Sequence, residues 1–246
     1  MKLVPSGQPR TALRRLAAFM RAFRALCAAL LVGCSLPGTA CAGSAPPVVP
    51  DADWEQTLAV FDALDRERAP PPGGVLFVGS SSIRLWDSLQ KDFAALPVVI
   101  NRGFGGSKLS DCVRHLDRLV VPYRPRLVLV YAGDNDLAAG RTPEDILARF
   151  KAFATGVHAN LPAARIAFIS IKPSPARAHL IPDIRRANAL VHDYAATVAN
   201  TEFIDVFTPM LTSDGGPRPE LFRPDALHLN AGGYELWRAL IAPYVN

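Results

Sequence analysis

Five short apolar segments, each bounded by glycine, proline or polar residues, constrain the fold of this chain more than any other feature. They cover residues 75–79, 98–101, 127–132, 166–171 and 203–206. Continuous apolar runs of this length are typical of strands that are covered on both faces, as in a parallel sheet. One helical pattern, over residues 51–68, precedes the first segment; others lie between the segments, over residues 109–120, 142–160 and 184–199, and a last one begins at Ala231. The alternation predicts an α/β fold, a three-layer α/β/α sandwich around a five-stranded parallel sheet.

The net charge of +5 is concentrated near the N-terminus and does not indicate a nucleic-acid-binding protein. Six of the 27 basic residues, and none of the 22 acidic residues, lie in residues 1–42. The other 21 basic residues nearly balance the acidic ones, so residues 43–246 are close to neutral. A basic surface for DNA or RNA is therefore not expected.

Residues 1–42 have the order of an export signal, in which basic residues precede a short apolar run and then small residues. The apolar run, residues 25–33, is shorter than the about 20 residues that span a bilayer. Two processing routes remain open: cleavage after Ala42 at an Ala-x-Ala site, or lipidation of Cys34 in a lipobox-like Leu-Val-Gly-Cys. Met20 is an alternative start to Met1. We expect an exported protein, periplasmic or secreted, which is held at a membrane only if Cys34 is lipidated.

The rest of the chain divides into a proline-rich tether, residues 43–50, and one folded domain, residues 51–246. Three of the four cysteines precede residue 43, so cleavage after Ala42 leaves Cys112 with no intrachain disulfide partner. Cys112 and His115 have helical spacing, but no second pair with the spacing of metal ligands accompanies them. No metal site is predicted.

Polar residues with complementary chemistry follow three of the predicted strands. Ser80-Ser81-Ser82 follow the first strand, a glycine-rich segment at 103–106 the second, and Gly-Asp-Asn-Asp at 133–136 the third; Asp225-Ala-Leu-His228 precedes the last helix. In such sheets ligands bind outside the carboxyl ends of the strands. Acyl transfer requires a nucleophile, a base, an orienting carboxylate and an oxyanion hole, and these segments contain groups for each role.

Each of these segments by itself also has an ordinary structural explanation. A serine run after a strand is commonly a helix N-cap. Residues 103–106 fit a tight loop; they lack the third spaced glycine of a dinucleotide site and the order of a phosphate-binding loop, so no cofactor is predicted. Asn135 and the Asp225–His228 pair fit a turn and a cap. Their occurrence together, in order and at strand ends, is what indicates a catalytic site.

At this point the chain resembles the SGNH (GDSL-like) hydrolases, over roughly residues 75–246. Gly79-Ser80-Ser81 matches the first block of that family with Ser81 at the nucleophile position, and Asp225 and His228 match its Asp-x-x-His block. Gly106 and Asn135 fall at the positions of the oxyanion glycine and asparagine. Ser80 departs from the aspartate that the family commonly has there, which puts the usual hydrogen bonding around the nucleophile turn in question.

The resemblance implies a flavodoxin-like sandwich and a serine esterase. Ser81 would be the nucleophile, His228 the base and Asp225 its orienting carboxylate. The Ser81 N–H, the Gly106 N–H and the Asn135 amide would form the oxyanion hole. We expect a small-molecule or glycan ester as substrate, with short-chain or O-acetyl esters favoured. Lysophospholipase, thioesterase or acyltransferase activity at the same site, and a non-catalytic binding module of the cell envelope, are the alternatives. The native ester and the oligomeric state stay open.

Overall fold

Five parallel strands form the central sheet of the part of the chain that the computed structural model describes, residues 54–245. The strands are β1 (Val75–Gly79), β2 (Val99–Gly103), β3 (Leu127–Tyr131), β4 (Arg165–Ile169) and β5 (Thr201–Ile204). Their order across the sheet is β2-β1-β3-β4-β5. Every neighbouring pair is parallel, and Val75 in β1 lies between Val99 in β2 and Leu127 in β3. The predicted α/β sandwich with a five-stranded parallel sheet is confirmed.

Nine α-helices of the described residues connect and cover these strands. They are α1 (Glu55–Glu67), α2 (Ser81–Arg84), α3 (Leu89–Asp92), α4 (Leu109–Arg114), α5 (Leu116–Leu119), α6 (Asp134–Ala138), α7 (Pro143–Asn160), α8 (Ile181–Ala195) and α9 (Ala231–Ile241). Helix α7 begins as the sequence indicates. The Thr142 hydroxyl accepts a hydrogen bond from the Asp145 N–H, the Asp145 carboxylate accepts one from the Thr142 N–H, and Pro143 occupies the first turn. None of these helices is long and apolar enough to cross a membrane.

Alternate side chains of the strands supply two separate cores, one on each face of the sheet. On one face Leu76 and Val128 pack with helices α1, α4, α5, α7 and α8. On the other face Phe77 and Leu129 pack with α2, α3 and α9. All five residues of β1 and of β3 are buried. This double coverage is the physical reason that these strands are continuous apolar runs instead of alternating ones.

The structure moves several of the predicted boundaries. The helix predicted over 109–120 is two short helices, because the backbone of His115 leaves the helical region (φ −109°, ψ 23°). The strand predicted over 203–206 starts earlier and ends at Ile204. There the Ser170 hydroxyl accepts hydrogen bonds from the N–H groups of Val206 and Phe207, which takes the chain out of the ladder. The leader, the tether and the boundaries of the folded domain predicted at residues 42 and 50 lie outside the described residues.

The strand order determines where a site can form. Strand β1 lies between β2 and β3, and the order along the sheet reverses at the β1–β3 neighbours. In open parallel sheets the loops that leave the carboxyl ends of such a pair diverge to opposite faces and leave a crevice between them. The segments beginning at Ser80 and at Ala132 flank this crevice.

Candidate active site

The turn after β1 is too tight for any residue but glycine at position 79. Gly79 has φ +135°, and a Cβ placed on it would lie 1.8 Å from the carbonyl oxygen of Tyr131 in β3. The same carbonyl accepts a hydrogen bond of 2.9 Å from the Ser80 N–H. The chain therefore passes from strand to helix within one residue, and Ser81 begins α2 at the carboxyl end of the sheet.

Only one of the three consecutive serines presents its side chain at the surface of this crevice. Ser80 and Ser82 are 0% and 1% exposed, whereas Ser81 is partly exposed. The Tyr234 hydroxyl donates to the Ser82 carbonyl oxygen at 3.0 Å and so ties α2 to α9. The Ser80 hydroxyl has no hydrogen-bond partner among residues 54–245. The aspartate that the related motif carries there is thus not replaced by an equivalent polar contact within this part of the chain.

A chain of hydrogen bonds joins Ser81 to two residues that lie about 145 positions further along the sequence. The Ser81 Oγ is 3.0 Å from the Nε2 of His228, and the His228 Nδ1 is 2.7 Å from the Oδ2 of Asp225. The other oxygen of Asp225 accepts the N–H groups of Leu227 (3.0 Å) and His228 (2.9 Å). The turn that permits this closure places Ala226 at φ +55°. The sequence predicted all three of these residues, and the structure brings them into contact.

The charge state of Asp225 follows from those contacts. The hydrogen bond from the His228 side chain, with the two backbone N–H groups, holds the pKa of Asp225 well below its ordinary value. Asp225 is therefore ionised and can only accept, so the proton on the imidazole lies on Nδ1. The Nε2 lone pair then faces the Ser81 hydroxyl, which is the tautomer that a general base requires.

Besides Ser81, the two other residues predicted for the oxyanion hole follow the strands on either side of β1. Gly106 (φ +87°) belongs to the loop after β2, and Asn135 is the second residue of α6 after β3. The Nδ2 of Asn135 donates to the carbonyl oxygen of Ser107 at 3.0 Å, so its amide is tied to the residue next to Gly106. One of the two Nδ2 hydrogens remains for a ligand.

The loop between β2 and α4, residues 104–108, contains Gly106 and is called the glycine loop; it is anchored at both of its ends. The Phe104 N–H donates to the Gly79 carbonyl at 2.8 Å, which fixes the loop to the nucleophile turn. The Leu109 N–H donates to the buried carboxylate of Asp136 at 2.9 Å. Burial raises the pKa of Asp136 to about 6, against the effect of that hydrogen bond and of Arg149, whose Nε lies 3.9 Å away.

A cluster of charged side chains next to Asn135 is not predictable from the sequence, because no local pattern indicates it. Asp134 is buried; its Oδ2 is 3.3 Å from the Nζ of Lys172 and 3.1 Å from the Nη1 of Arg177. Burial alone would raise the pKa of Asp134, but Lys172 and Arg177 outweigh it and lower the pKa. Burial lowers the pKa of Lys172, and Asp134 opposes that change. The position of Lys172 at a strand end is typical of a pocket or surface residue, but its side chain is 1% exposed.

A cavity and a free thiol elsewhere in the described residues lack the combination of nucleophile, base and orienting carboxylate that this site has. A cavity of about 570 Å³ is lined by Gly73, Arg126 and Ala164, which precede β1, β3 and β4. It therefore lies at the amino ends of the strands, the opposite edge from Ser81. Cys112 is a buried free thiol. Within residues 54–245 no group of three or more His, Cys, Asp or Glu side chains is arranged to hold a metal ion.

Solved structures support the fold on which this site is built. A protein from Bacteroides fragilis assigned as an acylhydrolase is 23% identical, with a TM-score of 0.67 over 80% of this chain and 98% of that one. A GDSL-like lipase from Bacteroides thetaiotaomicron is 21% identical, with a TM-score of 0.65 over 76% and 96%. A carbohydrate esterase family 3 structure from Talaromyces cellulolyticus is 18% identical, with a TM-score of 0.57 over 70% and 95%. No curated protein sequence matches significantly.

The model of one sequence family, the GDSL-like lipase/acylhydrolases, matches residues 74–236. The matched region begins just before β1 and ends within α9, so it contains the nucleophile turn, the glycine loop, Asn135 and the Asp225–His228 turn. The chain belongs to the GDSL-like lipase/acylhydrolase family, and it is an ester hydrolase.

Proposed function

We propose that the protein hydrolyses carboxylic esters through a covalent acyl intermediate on Ser81. The observation that carries this proposal is the unbroken hydrogen-bond chain from Asp225 through His228 to the Ser81 hydroxyl. A hydroxyl is a weak nucleophile until a base removes its proton, and a neutral imidazole oriented by a carboxylate supplies that base near neutral pH.

The proposed reaction has two halves. In the first, His228 Nε2 takes the Ser81 proton while Oγ attacks the ester carbonyl carbon. The resulting oxyanion is held by the N–H groups of Ser81 and Gly106 and by the Asn135 amide. His228 then returns the proton to the leaving oxygen, and the alcohol departs. In the second half, His228 takes a proton from water while the water oxygen attacks the carbonyl carbon of acyl-Ser81 and forms a second tetrahedral oxyanion. This intermediate collapses when the bond from the carbonyl carbon to Ser81 Oγ breaks and His228 returns the proton to Oγ, which releases the carboxylic acid and restores the Ser81 hydroxyl.

Short-chain or O-acetyl esters, including those on carbohydrate, are the proposed substrates. The turns that carry Ser81 and Asn135 are short, since α2 follows β1 after one residue and α6 follows β3 after two. No long insertion that could cover a lipid tail occurs in either connection. The similarity of fold to a carbohydrate esterase family 3 structure is compatible with this choice.

A hydrolysis screen tests the proposal. Purified protein is assayed with p-nitrophenyl esters from acetate to palmitate and with acetylated sugars. We expect turnover to fall with chain length and to vanish in Ser81→Ala, while Ser80→Ala and Ser82→Ala serve as matched controls that keep measurable activity. A fluorophosphonate adduct should map to Ser81 by mass spectrometry.

Three results would contradict specific parts of the proposal. An adduct on Ser80 or Ser82 would exclude Ser81 as the nucleophile. Highest activity on octanoyl or longer esters would replace the short-chain assignment with a lipase or lysophospholipase one. Transfer of the acetyl group to a sugar acceptor in preference to water would identify a transferase.

A further inference from the structure

The orientation of the Asn135 amide is set by two neighbours with opposite hydrogen-bonding capacity. The Arg177 Nη2 lies 2.9 Å from the Asn135 oxygen, and the Ser107 carbonyl lies 3.0 Å from the Asn135 nitrogen. A guanidinium can only donate and a carbonyl can only accept. The amide therefore has one allowed orientation, with Nδ2 toward the glycine loop. A flipped amide would lose both hydrogen bonds and would turn its oxygen toward the site where an oxyanion develops.

Arg177 is itself held in place from two sides. Its guanidinium is paired with the buried carboxylate of Asp134, which also binds Lys172. Its backbone neighbour Ala176 donates an N–H to the Ala226 carbonyl at 3.0 Å, within the turn that joins Asp225 to His228. The segment 174–177 thus links the asparagine that follows β3 to the acid–base turn, although these parts are about 90 residues apart in sequence.

We propose that Arg177 is a positioning residue for the oxyanion hole, which locks the Asn135 amide by donating to its oxygen from a guanidinium fixed on Asp134. This inference rests on the proposed function of Asn135 as an oxyanion donor. It assigns Arg177 no contact with the substrate: its Nη2 donates to the Asn135 oxygen, and its Nη1 forms an ion pair with Asp134 at 3.1 Å.

The expected effect is a loss in the chemical step and not in substrate binding. Side chains that orient metal ligands from the outer shell typically contribute about 10–100-fold in affinity or activity, and we expect an effect of the same size for a side chain that orients an oxyanion donor. A transition-state donor changes kcat while KM stays nearly constant. Arg177→Met, which keeps most of the stem but removes the donors, should lower kcat about 10–100-fold with KM within about three-fold. Arg177→Lys should recover only part of this loss, because one ammonium cannot reproduce the guanidinium fork.

A double-mutant cycle separates positioning from a general structural role. In an Asn135→Ala background, where no amide remains to be locked, Arg177→Met should reduce kcat by less than about three-fold. Arg186→Met is the matched control; that arginine is exposed on α8, binds Glu144 and should leave kcat unchanged. Full additivity in the cycle, a loss confined to KM, or complete rescue by lysine would overturn the proposal.

A readout without substrate keeps the inference independent of ester hydrolysis. The side-chain amide signals of Asn135 in a ¹H–¹⁵N spectrum are identified by their disappearance in Asn135→Ala. They should shift and broaden in Arg177→Met and remain in place in Arg186→Met. Unchanged signals in Arg177→Met would refute the lock even if the enzyme is active. An inactive parent enzyme with the expected spectral change would refute the proposed function and leave the lock standing.

Discussion

Replacing Gly79 by alanine should be among the most damaging single-methyl changes in this protein. A Cβ at this position would lie 1.8 Å from the Tyr131 carbonyl oxygen, whereas carbon and oxygen normally approach no closer than about 3.3 Å. The obstacle is backbone and not a flexible side chain, so β1 and β3 would have to separate by about 1.5 Å. The Ser80 N–H donates to the same carbonyl and resists that movement.

The expected loss of unfolding free energy in Gly79→Ala has two contributions. A positive φ costs a residue with a Cβ about 1–3 kcal/mol, and forcing packed backbone apart costs about 1–3 kcal/mol more. The sum, about 2–6 kcal/mol, is a large share of the about 5–15 kcal/mol by which a typical domain is stable. Gly140→Ala is a matched control, because Gly140 also has positive φ (+78°) but no atom lies within 4 Å of a Cβ placed on it.

Urea unfolding of the two variants and the parent measures both parts. Gly140→Ala should show only the backbone cost, and Gly79→Ala should lose a further 1–3 kcal/mol or so of unfolding free energy. Fluorophosphonate labelling of Ser81 should also slow in Gly79→Ala alone. Equal destabilisation of the two variants, or normal labelling in Gly79→Ala, would refute the argument that the close approach of β1 and β3 shapes the nucleophile turn.

Three further predictions concern the oxyanion hole, a buried carboxylate and the leader. Asn135→Ala should lower kcat by about 10²–10³ with little change in KM, and a rise in KM alone would make Asn135 a binding residue. Burial holds the pKa of Asp136 at about 6 in the folded state, above its ordinary value of 3.8. The ionisation of Asp136 therefore lowers the free energy of unfolding as the pH rises from the ordinary pKa to the folded-state pKa. Asp136→Asn should therefore gain about 2 kcal/mol in unfolding free energy relative to the parent between pH 4 and pH 8, and a pH-independent difference in urea unfolding would contradict this. For the leader, expression in a bacterial host should give a soluble product that begins at Gly43; labelled palmitate that is incorporated in the parent and lost in Cys34→Ser would show the lipoprotein route instead.

The sequence alone was sufficient for the sheet and for the residues that meet at its edge. The strands are recognisable because burial on both faces leaves no alternation in β1 or β3. Ser81, Gly106 and Asn135 are recognisable because each lies in the segment that follows a strand, and the carboxyl ends of parallel strands share one edge. Helices α2, α3 and α6 were missed, since four or five residues are too few to show a helical period.

The sequence also indicated ester hydrolysis as the reaction. The segments that contain the nucleophile, the oxyanion donors and the Asp225–His228 pair occur in the order typical of a hydrolase family, and this order can be read without knowing the distances between the side chains. The block pattern already indicates Ser81, and the tertiary structure adds the reason, since Ser80 and Ser82 are buried. Only the tertiary structure decided that Lys172 is buried against Asp134. It also decided that Arg177 holds the Asn135 amide, across 42 positions of sequence. The physical reason is that an arginine in a loop has the same local pattern whether it is solvated or paired. The partner of Arg177 is Asn135, and the two meet because β3 and β4 are paired side by side in the sheet. No local sequence pattern shows which strands are paired.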